Sequence, residues 1–315
     1  MADAWNAGQP EQVITLATQS DAENENVLLL LGLAQQATQR LPQAAATFLR
    51  LTQIQPGVSA YWNNLAVTCR QAGDLAGAEQ ALLTAQSLAP NDAELHYNLG
   101  LLYTQQQHWP LARQALLDAV QLSPNFIEAR LQAAYACYVC GDSSSQEAML
   151  SGAIHWPAHP AEQALILASM LAVQGDLEAA LHTLAQAQLP DEPAAAALRL
   201  RIAAQRTLLY ERNNLVDAAQ QELRTLSPDA LDALPKDAQQ ARADGWRAHA
   251  ALAMRTGAYA DATILYRRVL ALTTDDESQA GASFGLASAS DRLGHHQEAW
   301  RALQDAHTAQ LNIAR

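Results

Sequence analysis

The chain has 315 residues, 50% of them hydrophobic and only 16% charged, and its 32 acidic against 19 basic side chains give a formal net charge of −13. It is long enough to bury a core, and its acidity repels phosphate backbones, so nucleic-acid binding is disfavoured. Three cysteines do not make a disulfide framework, and the N-terminus lacks the basic region and apolar stretch of a signal peptide.

In chain order, the first 24 residues read as a shortened helical unit around Gly8 and Val13. From Glu25 the chain then repeats in steps of 34 residues. Glu25, Ser59, Ala93, Ile127 and Ala161 begin five stretches that superpose without insertion or deletion, and the register holds to about Pro193. A fixed period of this length defines a stacked-repeat architecture. The eighth residue of each stretch is small: Gly32, Ala66, Gly100, Ala134 and Ala168. The twentieth is Ala44, Ala78, Ala112 and Ala180, with Gln146 the one departure, and the twenty-seventh is Leu51, Ala85, Ala119, Ala153 and Ala187.

Within a stretch, apolar residues recur at helical spacing in two halves, so each reads as two helices and a tight turn. The turn falls near the fifteenth position, at Gly73-Asp74, Gly141-Asp142, Gly175-Asp176, Gly257 and Gly294, where glycine accepts a left-handed conformation. Pro56, Pro90 and Pro124, at position 32, stop the second helix. The small residues at positions 8 and 20 let the helix axes approach closely, so a leucine there overpacks the contact at a cost of about 1–3 kcal/mol. Leu28–Leu31 is too short to span a bilayer and belongs to a first helix.

Beyond residue 192 the register slips. A long first helix is expected over about 194–211, with Ala218 at position 20 of its unit. Ser227 before Pro228 is an N-cap with proline at the first helical position, which predicts a short extra helix in an insertion near 227–240. Trp246, Ala250, Gly257, Ala262, Tyr266 and Val269 restore the pattern, and Ala287, Gly294, Ala299 and Ala306 mark a last unit. A single unit would not fold alone. Ordering 34 residues costs on the order of 50 kcal/mol, which requires about 2,000 Å² of apolar burial, and only stacked neighbours supply it.

These positions, with Tyr61-Trp62-Asn63-Asn64-Leu65-Ala66 and His96-Tyr97-Asn98-Leu99-Gly100 in the first helices, resemble the tetratricopeptide repeat. The rival pentatricopeptide repeat has similar helices but a basic, RNA-reading face. The resemblance implies an all-α, right-handed α-solenoid of about nine helix-turn-helix repeats. Its regular array covers 1–192 with the first repeat partial, and an irregular array covers 193–315, continuous with the first. It also implies that first helices line a concave face through positions 2, 5, 6, 9, 12 and 13. On this chain those include Asn63, Asn64 and Arg70, then Glu94, Tyr97 and Asn98, then Glu128, Leu131, Gln132, Tyr135 and Tyr138. Asn64, Asn98 and Gln132 share position 6 as a short amide ladder, and side-chain amides both donate to and accept from an extended peptide backbone. Sugar transferases of the family use such a ladder. Its carboxylate-gripping mode is not expected, because positions 5 and 9 of the N-terminal units hold no Lys or Arg.

Cys137-x-x-Cys140 followed by His155-x-x-x-His159 approximates a two-Cys, two-His zinc pattern. The repeat frame argues against it: about 14 residues of helix at about 1.5 Å each set the pairs roughly 20 Å apart. Pro157 also interrupts the histidines. Cys137, at position 11, reads as a small core hydrophobe. No phosphate-binding loop, His-Glu-x-x-His or Gly-x-Ser-x-Gly motif occurs, and His295-His296 reads as an exposed turn. Trp62 and Trp246 share a repeat position and read as packing residues. Arg199, Arg201, Arg206 and Arg212 give the long helix a basic face, read by default as solvated, with docking on an acidic element the alternative.

Charge is uneven: residues 1–190 carry a net −11 and residues 191–315 a net −2. The expected partner is therefore a protein or peptide, neutral or basic, with no nucleic acid, membrane, metal or cofactor. Eighteen of the nineteen basic residues are Arg, with Lys236 the sole Lys, which with the alanine richness reads as the coding bias of a GC-rich bacterium, and the expected setting is a bacterial cytoplasm. The leading expectation is a non-enzymatic scaffold that binds its partner in the groove. The alternative is the targeting region of a larger enzyme whose catalytic domain follows Arg315, since the last unit loosely resembles the repeat preceding the catalytic domain of bacterial sulfotransferases. Trp300, Leu303, Leu311 and Ile313 leave the terminal repeat without a polar cap, which also motivates this alternative and offers self-association as a third reading.

Overall fold

The computed structural model describes residues 1–20, 24–191 and 194–313. It divides into two compact units, Met1–Ser151 and Gly152–Arg315. The first contains α1 (Ala2–Asn6), α2 (Pro10–Ala17), α3 (Glu25–Ala37), α4 (Leu41–Ile54), α5 (Ser59–Gln71), α6 (Leu75–Leu88), α7 (Ala93–Gln105), α8 (Trp109–Leu122), α9 (Ile127–Val139) and α10 (Ser143–Leu150). The second contains α11 (Ala161–Val173), α12 (Leu177–Ala185), α13 (Ala194–Arg212), α14 (Val216–Leu223), α15 (Pro228–Asp232), α16 (Gln239–Arg255), α17 (Tyr259–Leu272), α18 (Asp276–Arg292) and α19 (His296–Ile313). Among the described residues the only β feature is an isolated bridge between Pro160 and Gln188. The fold is an all-α solenoid of helix pairs.

The 34-residue frame maps directly onto the helices. α3, α5, α7, α9 and α11 each start on the first residue of a stretch and run for 13 residues. The turn after each is left-handed, with φ of 84° at Gly73, 72° at Gly141 and 85° at Gly175. The aspartate that follows each of these glycines caps the second helix. Asp74 accepts from the Gly77 N–H, Asp142 from that of Ser145 and Asp176 from that of Ala179, at 3.0–3.1 Å. The same left-handed turn occurs without glycine at Gln39, Gln107 and Asn214, with φ of 59–60°.

Helix pairs close on the small residues. Ala44, Ala78, Ala112 and Ala180 are fully buried, as are Ala66, Ala134 and Ala168. A Cβ at Gly32 would lie 2.7 Å from the Phe48 ring, and one at Gly100 would collide with Leu116. These contacts join into a core through the first unit that includes Phe48, Leu51, Leu82, Leu95 and Leu102.

Three features differ from the sequence reading. The second helices α4, α6 and α8 run for 14 residues, but α10 and α12 stop after 8 and 9. Ser151 and a left-handed Gly152 end α10, so Ala153 and His155 lie in a separate 3-10 turn, and the helical spacing assumed between Cys140 and His155 does not hold. In the second unit the residue at position 20 is Ala219, fully buried, while Ala218 is half-buried. The left-handed Asn214 explains the shift, because the buried alanine follows five residues later, as Ala78 follows Gly73. Finally, Arg201 and Arg206 are not a solvated face: they pair with Asp244 at 3.0 Å and Glu222 at 3.3 Å, fixing α13 to α16 and α14.

The expected extra helix is α15, and the Ser227 hydroxyl oxygen accepts from the Ala230 N–H at 3.2 Å. Trp246, Ala250, Ala262, Tyr266 and Val269 form its neighbouring core. The expected end of the regular register at Pro193 lies outside the described residues. Among the described residues, no helix is long and apolar enough to cross a membrane.

Candidate functional site

The candidate groove residues lie on α5, α7 and α9 of the first unit, and the structure sorts them by accessibility. Asn63 and Asn98 are 8% and 6% exposed. The Asn98 Nδ2 donates to Asn63 Oδ1 at 2.8 Å, and Asn63 Nδ2 donates to Glu94 Oε1 at 3.3 Å. Contact between neighbouring first helices therefore runs diagonally, from position 5 of one stretch to positions 2 and 6 of the next. Among the described residues the side-chain amides of Asn64 and Gln132 have no hydrogen-bond partner, and both residues are half-buried. Leu131 is buried in the helix packing.

A second cluster sits beside the amides. Tyr97 stacks obliquely on Phe126, with ring centroids 4.8 Å apart. Burial pushes its phenol up and the Glu128 carboxylate adds to this, while the nearby Arg70 guanidinium pulls it back. Burial lowers the pKa of Arg70, with Tyr97 opposing, and its Nε is buried without a partner. Further along α9, Tyr135 and Tyr138 are 36% and 47% exposed, and Tyr135 meets Trp109 of α8 edge-on at 5.8 Å.

A device that the sequence reading missed operates at position 4 of the first helices. Trp62 Nε1 donates to the Pro56 carbonyl and His96 Nε2 to the Pro90 carbonyl, both at 2.9 Å. A carbonyl only accepts, so the His96 proton is on Nε2. Arg130, in the same position, donates to the carbonyls of Met149 and Ser151 at 3.0 and 2.7 Å. The alignment showed three different residue types there. Their shared role as donors to the carbonyls at a neighbouring helix end, the preceding one for Trp62 and His96 and the following one for Arg130, emerges only in three dimensions.

Cys69 and Cys137 are buried and Cys140 is partly so, all as free thiols. Burial and Asp142 push the Cys137 thiol up to about 11, so near neutral pH it stays protonated and unreactive. Among the described residues no three His, Cys, Asp or Glu side chains converge as a metal site.

The tetratricopeptide repeat family profile matches residues 29–93 and 71–125, overlapping windows that run from α3 to just past α8, so this stretch of the chain carries tetratricopeptide repeats. The solved Cut9–Hcn1 hetero-tetramer of the APC/C is similar with a TM-score of 0.54 and 14% identity, over 92% of this chain and 54% of that one. PilF of Pseudomonas aeruginosa gives 0.51 and 18% identity, over 64% and 90%. MamA from Desulfovibrio magneticus RS-1 gives 0.44 and 18% identity, over 48% and 86%. At these identities the likeness is one of fold. No curated protein sequence matches the chain.

Proposed function

We propose that the chain is a non-enzymatic protein–protein interaction scaffold whose first unit takes a neutral or basic peptide along α5, α7 and α9. The observation that carries this reading is the set of unpaired groups on those helices. The Asn64 and Gln132 amides offer donors and acceptors to a peptide backbone, with Tyr135 and Tyr138 exposed beside them. Glu94 and Glu128 are exposed on the same helices, and the cation among the candidate residues, Arg70, is half-buried, so the face favours a neutral or positive ligand. Asn63 and Asn98 position α5 against α7 and are not themselves contacts. Repeat proteins with this fold are surfaces for partners, and stacking alone stabilises them.

Affinity capture with the intact chain tests this reading. Asn64→Ala/Gln132→Ala should lose the partner retained by wild type, and a Leu83→Ala control on α6 should keep it. Equal recovery by all three proteins would remove the groove from the account.

Two alternative readings belong here. Trp300 and Leu311 on α19 are 62% and 63% exposed, which favours self-association through that helix. Light scattering on Trp300→Glu, expected to shift an oligomer to monomer, tests it. The sequence likeness of α18 and α19 to repeats preceding a sulfotransferase domain supports a targeting role, and a stop codon directly after Arg315 in the gene would end that reading.

A further inference from the structure

In the second unit α14 ends after 8 residues where α17 runs for 14. The chain turns away through Arg224–Leu226 into α15, and a cleft of about 560 Å³ opens between α14, α16 and α17. Asp261, Ile264, Leu265 and Arg268 line it at the i, i+3, i+4, i+7 spacing of one face of α17. Trp246 and His249 line it from α16.

One group here is set as if for an anion. The Arg268 guanidinium lies over the Trp246 ring, 4.7 Å from its centroid, and among the described residues it has no carboxylate partner. Its neighbour Arg267, by contrast, pairs with Glu298. Stacking on an aromatic face pre-orients a guanidinium and leaves its N–H edge for bidentate binding of a carboxylate. His249 Nε2 donates to the Leu226 carbonyl at 2.7 Å, which fixes the imidazole beside Trp246, their centroids 5.7 Å apart. Apart from Gln220, Thr256 and Asp261 the other walls are apolar, and Ile264 is exposed within them. Asp261 lies seven residues from Arg268, about 10 Å along the helix, and repels an anion from that end. The volume falls within the roughly 300–1,000 Å³ of small-ligand sites.

We propose that this cleft binds a compact apolar carboxylate, an aromatic or branched aliphatic acid, with the carboxylate on Arg268 and the apolar body against Trp246 and Ile264. The same chemistry is offered by a free acid and by the C-terminus of a peptide ending in an apolar residue. The site is independent of the groove in the first unit.

Calorimetric titration of the full chain tests it with three probes: 2-naphthoate, its neutral amide, and a glycine-rich peptide with a C-terminal phenylalanine. Saturable binding of one equivalent of 2-naphthoate or of the peptide acid is expected, at least tenfold tighter than the amide. Arg268→Gln should weaken it at least tenfold and Ile264→Asp should abolish it, while Arg212→Gln leaves it unchanged. Tighter binding of the peptide assigns the site to a chain end, and tighter binding of naphthoate to a free acid. Equal affinity for acid and amide, no saturable binding of either acid, or full binding by a folded Arg268→Gln chain would overturn the proposal.

Discussion

The Asn98 side-chain amide donates to the Asn63 amide oxygen at 2.8 Å, and this buried bond ties α7 to α5. Removing one partner leaves the other buried and unsatisfied, which costs about 1–3 kcal/mol. Asn98→Ala should therefore destabilise the chain by that amount in urea unfolding. In the double variant Asn63→Ala/Asn98→Ala the total should be clearly less than the sum of the singles. Strict additivity would mean that the two amides do not act as a pair.

Gln107 holds a left-handed turn at φ 59°, where the equivalent residue of the preceding stretch is Gly73 at φ 84°. A non-glycine residue in that region costs about 1–2 kcal/mol, and glycine returns about 0.5–1 kcal/mol of that to the unfolded chain. Gln107→Gly should stabilise the protein by about 0.5–1 kcal/mol, and Gly73→Gln should destabilise it by a similar amount. A loss of stability in Gln107→Gly, measured by thermal melting, would show that the Gln107 side chain contributes more than its backbone strain costs.

The period made most of the fold legible because a repeat turns every local preference into several aligned observations. One glycine at position 15 says little, but Gly73, Gly141 and Gly175 together locate a turn, and their neighbouring aspartates the caps. Gln39, Gln107 and Asn214 escaped this logic, since tertiary packing imposes the turn where residue type does not ask for it. The early end of α10 was hidden for a related reason: Ala153 keeps the small, buried character of position 27 even though the backbone there is no longer α-helical. The groove was legible only as a set of positions. Sequence spacing put Asn64 and Asn98 in register, but the bond forms between Asn63 and Asn98, because adjacent first helices are offset by one residue at their contact.

Gly32 packs against Phe48, and a Cβ there would lie 2.7 Å from the ring. Phe48 is fully buried among Leu28, Leu51 and their neighbours and has little room to yield. Gly32→Leu should cost at least about 3 kcal/mol, the upper range for overpacking. The paired change Gly32→Leu/Phe48→Ala should recover part of that loss. No recovery would place the strain in the backbone and not in this contact.

Alkaline pH should weaken the first unit. Burial pushes the Cys137 thiol from 9.0 to about 11, and burial together with a hydrogen bond to Glu25 pushes Tyr61 from 10.0 to about 12. Both groups ionise more readily once unfolded, so between these values the unfolded chain binds fewer protons and stability falls as pH rises. Their contribution is fully present below about pH 9 and is lost through about pH 11 for the thiol and about pH 12 for the phenol. Urea midpoints measured from pH 7 to 11 should be flat and then decline, and Cys137→Ala should flatten the first part of the decline. A midpoint that rises above pH 9 would contradict both assignments.

Gln146 occupies the position at which Ala44, Ala78, Ala112 and Ala180 close their helix pairs. It is only 3% exposed, and its Nε2 is buried without a hydrogen-bond partner. An unsatisfied buried amide costs about 1–3 kcal/mol, and alanine is also the better helix former on α10. Against this, shortening the side chain removes some packing where α10 meets α9. The desolvation cost is the larger effect if α9 and α10 close as the other pairs do, so Gln146→Ala should stabilise the chain by about 1 kcal/mol in thermal or urea unfolding. Lower stability in that variant would mean that the glutamine fills space no alanine can, and that α9 and α10 stand further apart than the repeat frame requires.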